Sequence, residues 1–201
     1  DSAGERSFRQ LPGANGALGA EELPLDNLFA GRALHVAGSL VMPILDGAPT
    51  AELLAEARRR GVHTSLDTVY DATGRWDRIE PCLPYLDLLT VGLSEAQGIS
   101  GQLDPASAAT WFRERGVAEV ALKLGPDGCY VAGAEFEGAL PAFPVRAVDG
   151  TGAGDAFAAG VIYGRLTGWP LVDAARLANA AGALATTAVG ATEGVLGLDE
   201  T

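Results

Sequence analysis

The chain has 201 residues, 48% apolar and 20% charged, which supports one domain with a sizeable core and excludes a disordered protein. Its net charge of −12 argues against a nucleic-acid partner, because the phosphate backbone would repel it. The apolar stretches after Asp155 and around Asn179 are rich in Ala and Gly and broken by Arg165 and Arg176, so they read as buried helices rather than membrane spans. Cys82 and Cys129 lie far apart in apolar surroundings without metal-ligand spacing, as reduced core residues of a cytoplasmic protein would.

Taken in order, Glu5 to Leu11 alternates as a short solvent-facing strand, and Pro12-Gly13 ends it. Leu34 to Gly38 is an apolar strand. Thr50 is expected to cap a helix over Ala51 to Arg60, with Leu53, Leu54 and Ala57 on one face and Gly61 as its stop. Val62 to Asp67 is the next strand. Asp67 falls at its carboxyl end, where open α/β sheets bind ligands, although a turn-forming Asp explains it as well. Leu86 to Val91 is a third strand, followed by a helix whose Ser94 and Gln97 resemble a capping box. Asp104-Pro105 starts a helix, Ala106 to Arg115, that ends at Gly116. Strand Glu119 to Lys123 leads through Pro126-Asp127-Gly128, a hairpin signal, into strand Cys129 to Ala132. Val145 to Val148 reads as one more strand. A final helix spans Leu171 to Thr187, and Asn179 on its Ala-rich face requires a polar partner.

The stretch from Val148 to Phe157 holds three glycines and two acids in Asp149-Gly150-Thr151-Gly152-Ala153-Gly154-Asp155. Glycines at alternate positions allow a sharp turn and close backbone approach, and the apolar run Ala156 to Leu166 reads as a helix. The turn would then present free N–H groups at a helix N-terminus, a ready anion site. Asp155 stands beside that site, where a carboxylate suits proton abstraction from a hydroxyl attacking phosphorus. An ordinary strand–turn–helix junction would also account for the pattern. No Lys-Ser/Thr follows the glycines as in a Walker loop, and the spacing does not fit a Rossmann fingerprint.

This segment resembles the Asp-Thr-x-Gly-Ala-Gly-Asp signature of the ribokinase-like (PfkB) carbohydrate kinases, departing from it only at Gly150. The resemblance implies that Asp155 is the catalytic base and that the backbone of Gly152, Ala153 and Gly154 forms the anion hole. It implies ATP and Mg²⁺ as cofactors. Gly125 and Gly128 would belong to the family's nucleotide-binding turn, Lys123 would reach the phosphates, and Asn179 would lie near adenine. Glu95 matches the acid of the family's Asn-x-x-Glu motif, although the Asn is absent, and would belong to the Mg²⁺ shell; capping a helix would serve equally well. Asp149 and Thr151, with the loop Val189 to Gly194, would supply oxygens to a monovalent cation, or that loop is a surface turn. Only Asp67 survives from the family's Asp-x-Asn-x-Arg motif. Gly4-Glu5-Arg6 and Pro12-Gly13-Ala14-Asn15 resemble the lid, where Arg6, Arg9 or Asn15 would grip sugar and through which the chain would form a homodimer.

The expected fold is a doubly wound α/β sandwich with a largely parallel sheet. Residues 1–15 would form a partial lid strand and turn, and residues 16–201 a core holding the ATP site and catalytic loop. The resemblance runs along the whole chain but covers only the latter two thirds of the family's pattern, so the first strands and the Gly-Gly-x-x-x-Asn segment are expected before Asp1. ATP-dependent phosphorylation of a sugar-like alcohol is the leading function. A non-catalytic nucleotide-binding fragment, or one part of a larger assembly, is the alternative. A Rossmann dehydrogenase is disfavoured, because no G-x-G-x-x-G follows an N-terminal strand.

Overall fold

Five of the apolar runs and one segment without a strong strand pattern build the sheet of the computed structural model, which describes residues 11, 13–71 and 73–200. The strands are β1 (Ala33–Ser39), β2 (His63–Thr68), β3 (Leu88–Gly92), β4 (Glu119–Lys123), β5 (Cys129–Ala132) and β6 (Glu137–Leu140). They lie side by side in chain order. The pairings from β1 through β4 are parallel, and β4–β5 and β5–β6 are antiparallel. The helices are α1 (Leu25–Leu28), α2 (Ala48–Arg59), α3 (Leu93–Ser100), α4 (Pro105–Glu114), α5 (Ala153–Leu166) and α6 (Leu171–Ala185).

Helices cover both faces of the sheet, so the central strands have no solvent side and read as continuous apolar runs. In β3, Leu88, Leu89, Thr90 and Val91 are all fully enclosed. Leu89 and Val91 pack with Leu54 of α2, Ala96 of α3 and Phe112 of α4. Leu88 points the other way, into a second core with Phe157 and Val161 of α5 and Ala174 and Ala178 of α6. Fully burying a side chain such as Phe112 contributes about 2–3 kcal/mol. Both cysteines are buried free thiols, as the sequence suggests.

Three local expectations fail for physical reasons. Thr50 is not a cap: α2 begins at Ala48 with Pro49 in its first turn, and the buried Thr50 hydroxyl donates to the Leu45 carbonyl at 2.7 Å. Ser94 and Gln97 do not form a capping box. Glu95 accepts the Gly92 amide at 2.8 Å, and Gln97 donates to the Leu103 carbonyl. Residues 145–148 join no strand among the described residues. The sixth strand is Glu137–Leu140, whose Gly138 and Ala139 lack the β-branched signal. By contrast, Asp104 caps α4 as expected, accepting the Ser107 amide at 2.9 Å. The expected strand from Glu5 with Arg6 and Arg9 lies outside the described residues except for Leu11, and Asn15 is exposed in a 3-10 turn, Gly13–Gly16.

The packing of α5 on α6 depends on small residues. A Cβ on Gly160 would stand 2.7 Å from Ala178 Cα, and one on Gly164 would stand 2.5 Å from Ala174 Cβ. Leu171, Ala174, Ala175 and Ala178 are the buried stripe of α6 that meets them. Gly160→Val should therefore destabilise the fold by about 2–3 kcal/mol, read as a lower urea midpoint in chemical unfolding.

Candidate active site

The glycine-rich turn builds the N-terminus of α5, three residues earlier than the apolar pattern suggests. Gly152 sits at the N-cap with φ of 78°, in the left-handed region. A Cβ there would lie 2.2 Å from the Ala191 carbonyl oxygen, so the position admits neither the conformation nor the volume of a side chain. Asp149 clasps the same junction. Its Oδ1 accepts the Thr151 amide at 3.0 Å and the Thr151 hydroxyl at 2.7 Å, and its Oδ2 accepts the Gly190 amide at 3.1 Å. Asp149, Thr151 and the loop after α6 are thereby brought together. The Ala153 amide turns back onto the Gly150 carbonyl at 3.3 Å and the Ala156 amide onto Gly152 at 2.8 Å. The Gly154 and Asp155 amides between them take no carbonyl among the described residues. They belong to the orphan donors of a helix start, with Asp155 exposed on that first turn.

Beside this turn lies a cavity of about 500 Å³ whose walls include Lys123, Gly125, Gly128, Asn179, Ala153 and Gly154. All four residues expected to bind nucleotide therefore line one space with two residues of the expected anion hole. Lys123 ends β4, and the hairpin that follows turns on Gly128, with φ of 95°; a Cβ there would stand 2.1 Å from the Leu140 carbonyl. Phe143 and Val145, on the irregular segment after β6, also line it. Asn179 pins the start of that segment, its Nδ2 donating to the carbonyls of Leu140 at 3.3 Å and Pro141 at 3.1 Å. The Val148 and Asp149 amides pin its end on the Thr186 carbonyl. The polar partner that a buried Asn in an Ala-rich helix requires is thus the cavity wall itself. Gly152 and Asp155 face a second hollow of about 460 Å³, so the turn stands between two open spaces.

A row of polar side chains crosses the sheet below the turn. His35 of β1 pairs in register with Ser65 of β2, and its Nδ1 lies 2.9 Å from the Ser65 hydroxyl. Asp67 follows on the same face of β2, with Lys123 Nζ 2.6 Å from its Oδ1. Burial pushes the Asp67 carboxyl above its ordinary value, with Lys123 pulling against it. His35 is held below the ordinary value of 6.5, first by desolvation and then by Lys123, with Asp155 opposing. Glu95, at the start of α3, accepts the Thr68 hydroxyl at 2.7 Å and the Gly92 amide at 2.8 Å, both on Oε2. His35 and Thr68 carry no motif; parallel pairing of separate segments is what makes them neighbours of the acidic residues.

An open α/β sheet with its cavity at the carboxyl ends of the strands, bordered by a helix N-terminus, belongs to the class whose ligands bind at that edge. The chain belongs to the pfkB family of carbohydrate kinases, whose profile matches residues 1–196. It is 36% identical over 133 residues to the 2-dehydro-3-deoxygluconokinase of Bacillus subtilis, covering 66% of this chain and 38% of that enzyme. The crystal structure of a ribokinase from Thermotoga maritima superposes with a TM-score of 0.81 at 27% identity, covering 100% of this chain and 65% of that one. A putative ribokinase II of E. coli, in complex with ATP and Mg²⁺, gives 0.79 at 28% identity, covering 92% of this chain and 62% of that one. The chain spans less than two thirds of the length of each of these relatives.

Two measurements check this geometry. Lys123→Met should raise the His35 pKa and Asp155→Asn should lower it, read from the ring proton shifts in an NMR titration. Because the unfolded state protonates His35 near 6.5 and the folded state only at lower pH, this residue's contribution makes stability fall as the pH drops below about 6.5. Asn179→Ala should cost about 1–3 kcal/mol in urea unfolding and speed hydrogen exchange along residues 142–148.

Proposed function

We infer that this chain carries the nucleotide-binding and phosphoryl-transfer portion of an ATP-dependent sugar kinase. The observation that carries the reading is the seating of the turn: Asp155 and the orphan amides of α5 stand between two hollows, one of them lined by Lys123, Gly125, Gly128 and Asn179. A cavity of about 500 Å³ with mostly apolar walls and a few convergent polar groups suits a nucleotide. Adenine would lie between the hairpin at Gly125–Gly128 and the wall that Asn179 anchors. The phosphates would run toward Lys123 and the helix N-terminus.

In this reading Asp155 accepts the proton of the attacking hydroxyl. The Gly152–Gly154 backbone and the α5 N-terminus stabilise charge on the moving phosphoryl group, a contribution that needs no reorganisation because helix and turn are already fixed. With a loose transition state the proton need not leave early, so the base needs no unusual affinity for it. Glu95 fits the outer shell of a hydrated Mg²⁺, since both hydrogen bonds it accepts fall on Oε2. Bound there, Mg²⁺ would neutralise phosphate charge while keeping several of its waters. Asp149 and Thr151 would lend oxygens to a monovalent cation while clasping the turn.

The acceptor is a sugar-type alcohol, a proposal supported by membership in a carbohydrate-kinase family. A cytoplasmic location is part of the same proposal, supported by the two free, buried cysteines. No described helix is long and apolar enough to cross a membrane. The test is Asp155→Asn in the full-length protein, assayed with MgATP against a panel of sugars. Turnover should fall by roughly two or more orders of magnitude while nucleotide affinity and thermal midpoint stay at parental values. Turnover within a few fold of the parent would remove Asp155 from the role of base.

A further inference from the structure

The polar row beneath the turn contains an ion pair whose geometry exceeds what simple charge attraction to ATP requires. Asp67 ends β2 and Lys123 ends β4, with β3 between them; Asp67 is in register with Thr90, and Lys123 with Gly92. Lys123 Nζ lies 2.6 Å from Asp67 Oδ1, and the two side chains are 18% and 8% exposed. The same carboxylate oxygen accepts the Thr68 amide at 3.0 Å, which fixes the acid to the strand end. On its other side the ammonium abuts the first turn of α5, where a Cβ on Gly154 would stand 3.4 Å from Nζ.

Composition sharpens the point. Lys123 is the only lysine in the sequence, the other 13 basic residues being arginines. The exception occurs where the available space, between a buried carboxylate and a helix backbone, suits a compact ammonium and not a planar guanidinium. A lysine that merely gathered triphosphate from solution would sit on a flexible, solvated stem and need no buried acid. An unpaired carboxylate beside a phosphate path would be repulsive, so Asp67 is tolerable there only with its partner in place. With Asp67 fixing one N–H, the ammonium keeps other donors free to meet an oxyanion at Gly154, next to the orphan amides.

Resting on the kinase reading above, we propose that Asp67 is a positioning residue that holds Lys123 as a fixed cation of the phosphoryl-transfer turn. Lys123 then stabilises charge as the phosphoryl group moves, and contributes little to nucleotide affinity. Preorganised charge of this kind acts on turnover more than on binding.

The experiment uses the full-length protein with MgATP and a sugar panel, together with calorimetric binding of ADP and Mg²⁺. Lys123→Met should lower kcat about a hundredfold. Lys123→Arg should not restore it, since charge returns without the compact geometry. Asp67→Asn should lower kcat about tenfold, with the KM for ATP and the ADP affinity within about twofold of the parent. The double variant should be no slower than Lys123→Met alone, because Asp67 acts only through the lysine. A merely structural Asp67 would lower the thermal midpoint and leave kcat per folded molecule unchanged; that result overturns the proposal, as does an additive double variant. A readout free of turnover separates this proposal from the kinase reading. The Lys123 ammonium should give an exchange-protected NMR signal that disappears in Asp67→Asn, or in Asp67→Ala should the first variant not fold. A parent inactive on every sugar, with that signal present and lost on substitution, sinks the kinase reading and leaves the holding role of Asp67 standing. An active parent whose Lys123 signal survives loss of Asp67 sinks the positioning role alone.

Discussion

The architecture around the site depends on one close approach, the backbone of Gly152 against the carbonyl of Ala191. With 2.2 Å between a would-be Cβ and that oxygen, only glycine closes the junction, and its left-handed conformation turns the chain directly into α5. Asp149 secures the same junction from the other side by bonding both Thr151 and Gly190. The direction of α5, the exposure of its first amides and the position of Asp155 all follow from how these two loops meet. Few alternative geometries are compatible with a contact this tight, and the anion site proposed above would draw its preorganisation from that rigidity.

The rest of the molecule holds that junction over the sheet. Small residues let α5 and α6 pack backbone to backbone, and the pair rests on Leu88, Ala121 and Val131 as one unit. At the far end of α5, Arg165 bonds both carboxylate oxygens of Glu119 at the start of β4, at 2.6 and 2.9 Å, with both groups largely buried. Strand β4 is therefore tied to α5 at its start by this bidentate pair, while Lys123 at its other end lies close beneath Gly154. Such a pair fixes orientation more than it adds net stability, because desolvation offsets much of its attraction. The cavity wall from Pro141 to Val148 has no sheet partner among the described residues. It is held at its two ends, by the Asn179 side-chain amide donating to the Pro141 carbonyl and by the Val148 and Asp149 amides donating to the Thr186 carbonyl.

The chemistry inferred for the site needs charge arranged before a ligand arrives. Asp67, Lys123, Asp155 and His35 come from three strands and one helix, and the charges of Lys123 and Asp155 act in opposite directions on the titration of His35 and of Asp67. In water such charges would be screened and mobile; here the largely buried Asp67–Lys123 pair is held in place and screened less. The arrangement suits moving one anionic group between two spaces, and membership in the pfkB carbohydrate kinase family agrees with it.

By itself the sequence determined the alternation of strands and helices, the Asp104 cap, the hairpin at Gly128 and the glycine-rich turn from Asp149 to Asp155 that leads into α5. These features are written in nearest-neighbour terms: periodicity, capping spacing, and residues whose backbone preferences act within a few positions. Tertiary structure decided what depends on contacts between distant segments. Glu95 rather than Ser94 caps α3, because its carboxylate also meets Thr68 of β2. Thr50 lies inside α2 and bonds the preceding loop. The sixth strand forms at Glu137–Leu140, despite its weak propensity, because β5 offers it an edge, whereas residues 145–148 find none among the described strands. Asn179 turns toward a strand end, and Asp67 meets Lys123 56 residues away. Strand register sets those meetings, and register is a property of the assembled sheet that no local stretch of chain encodes.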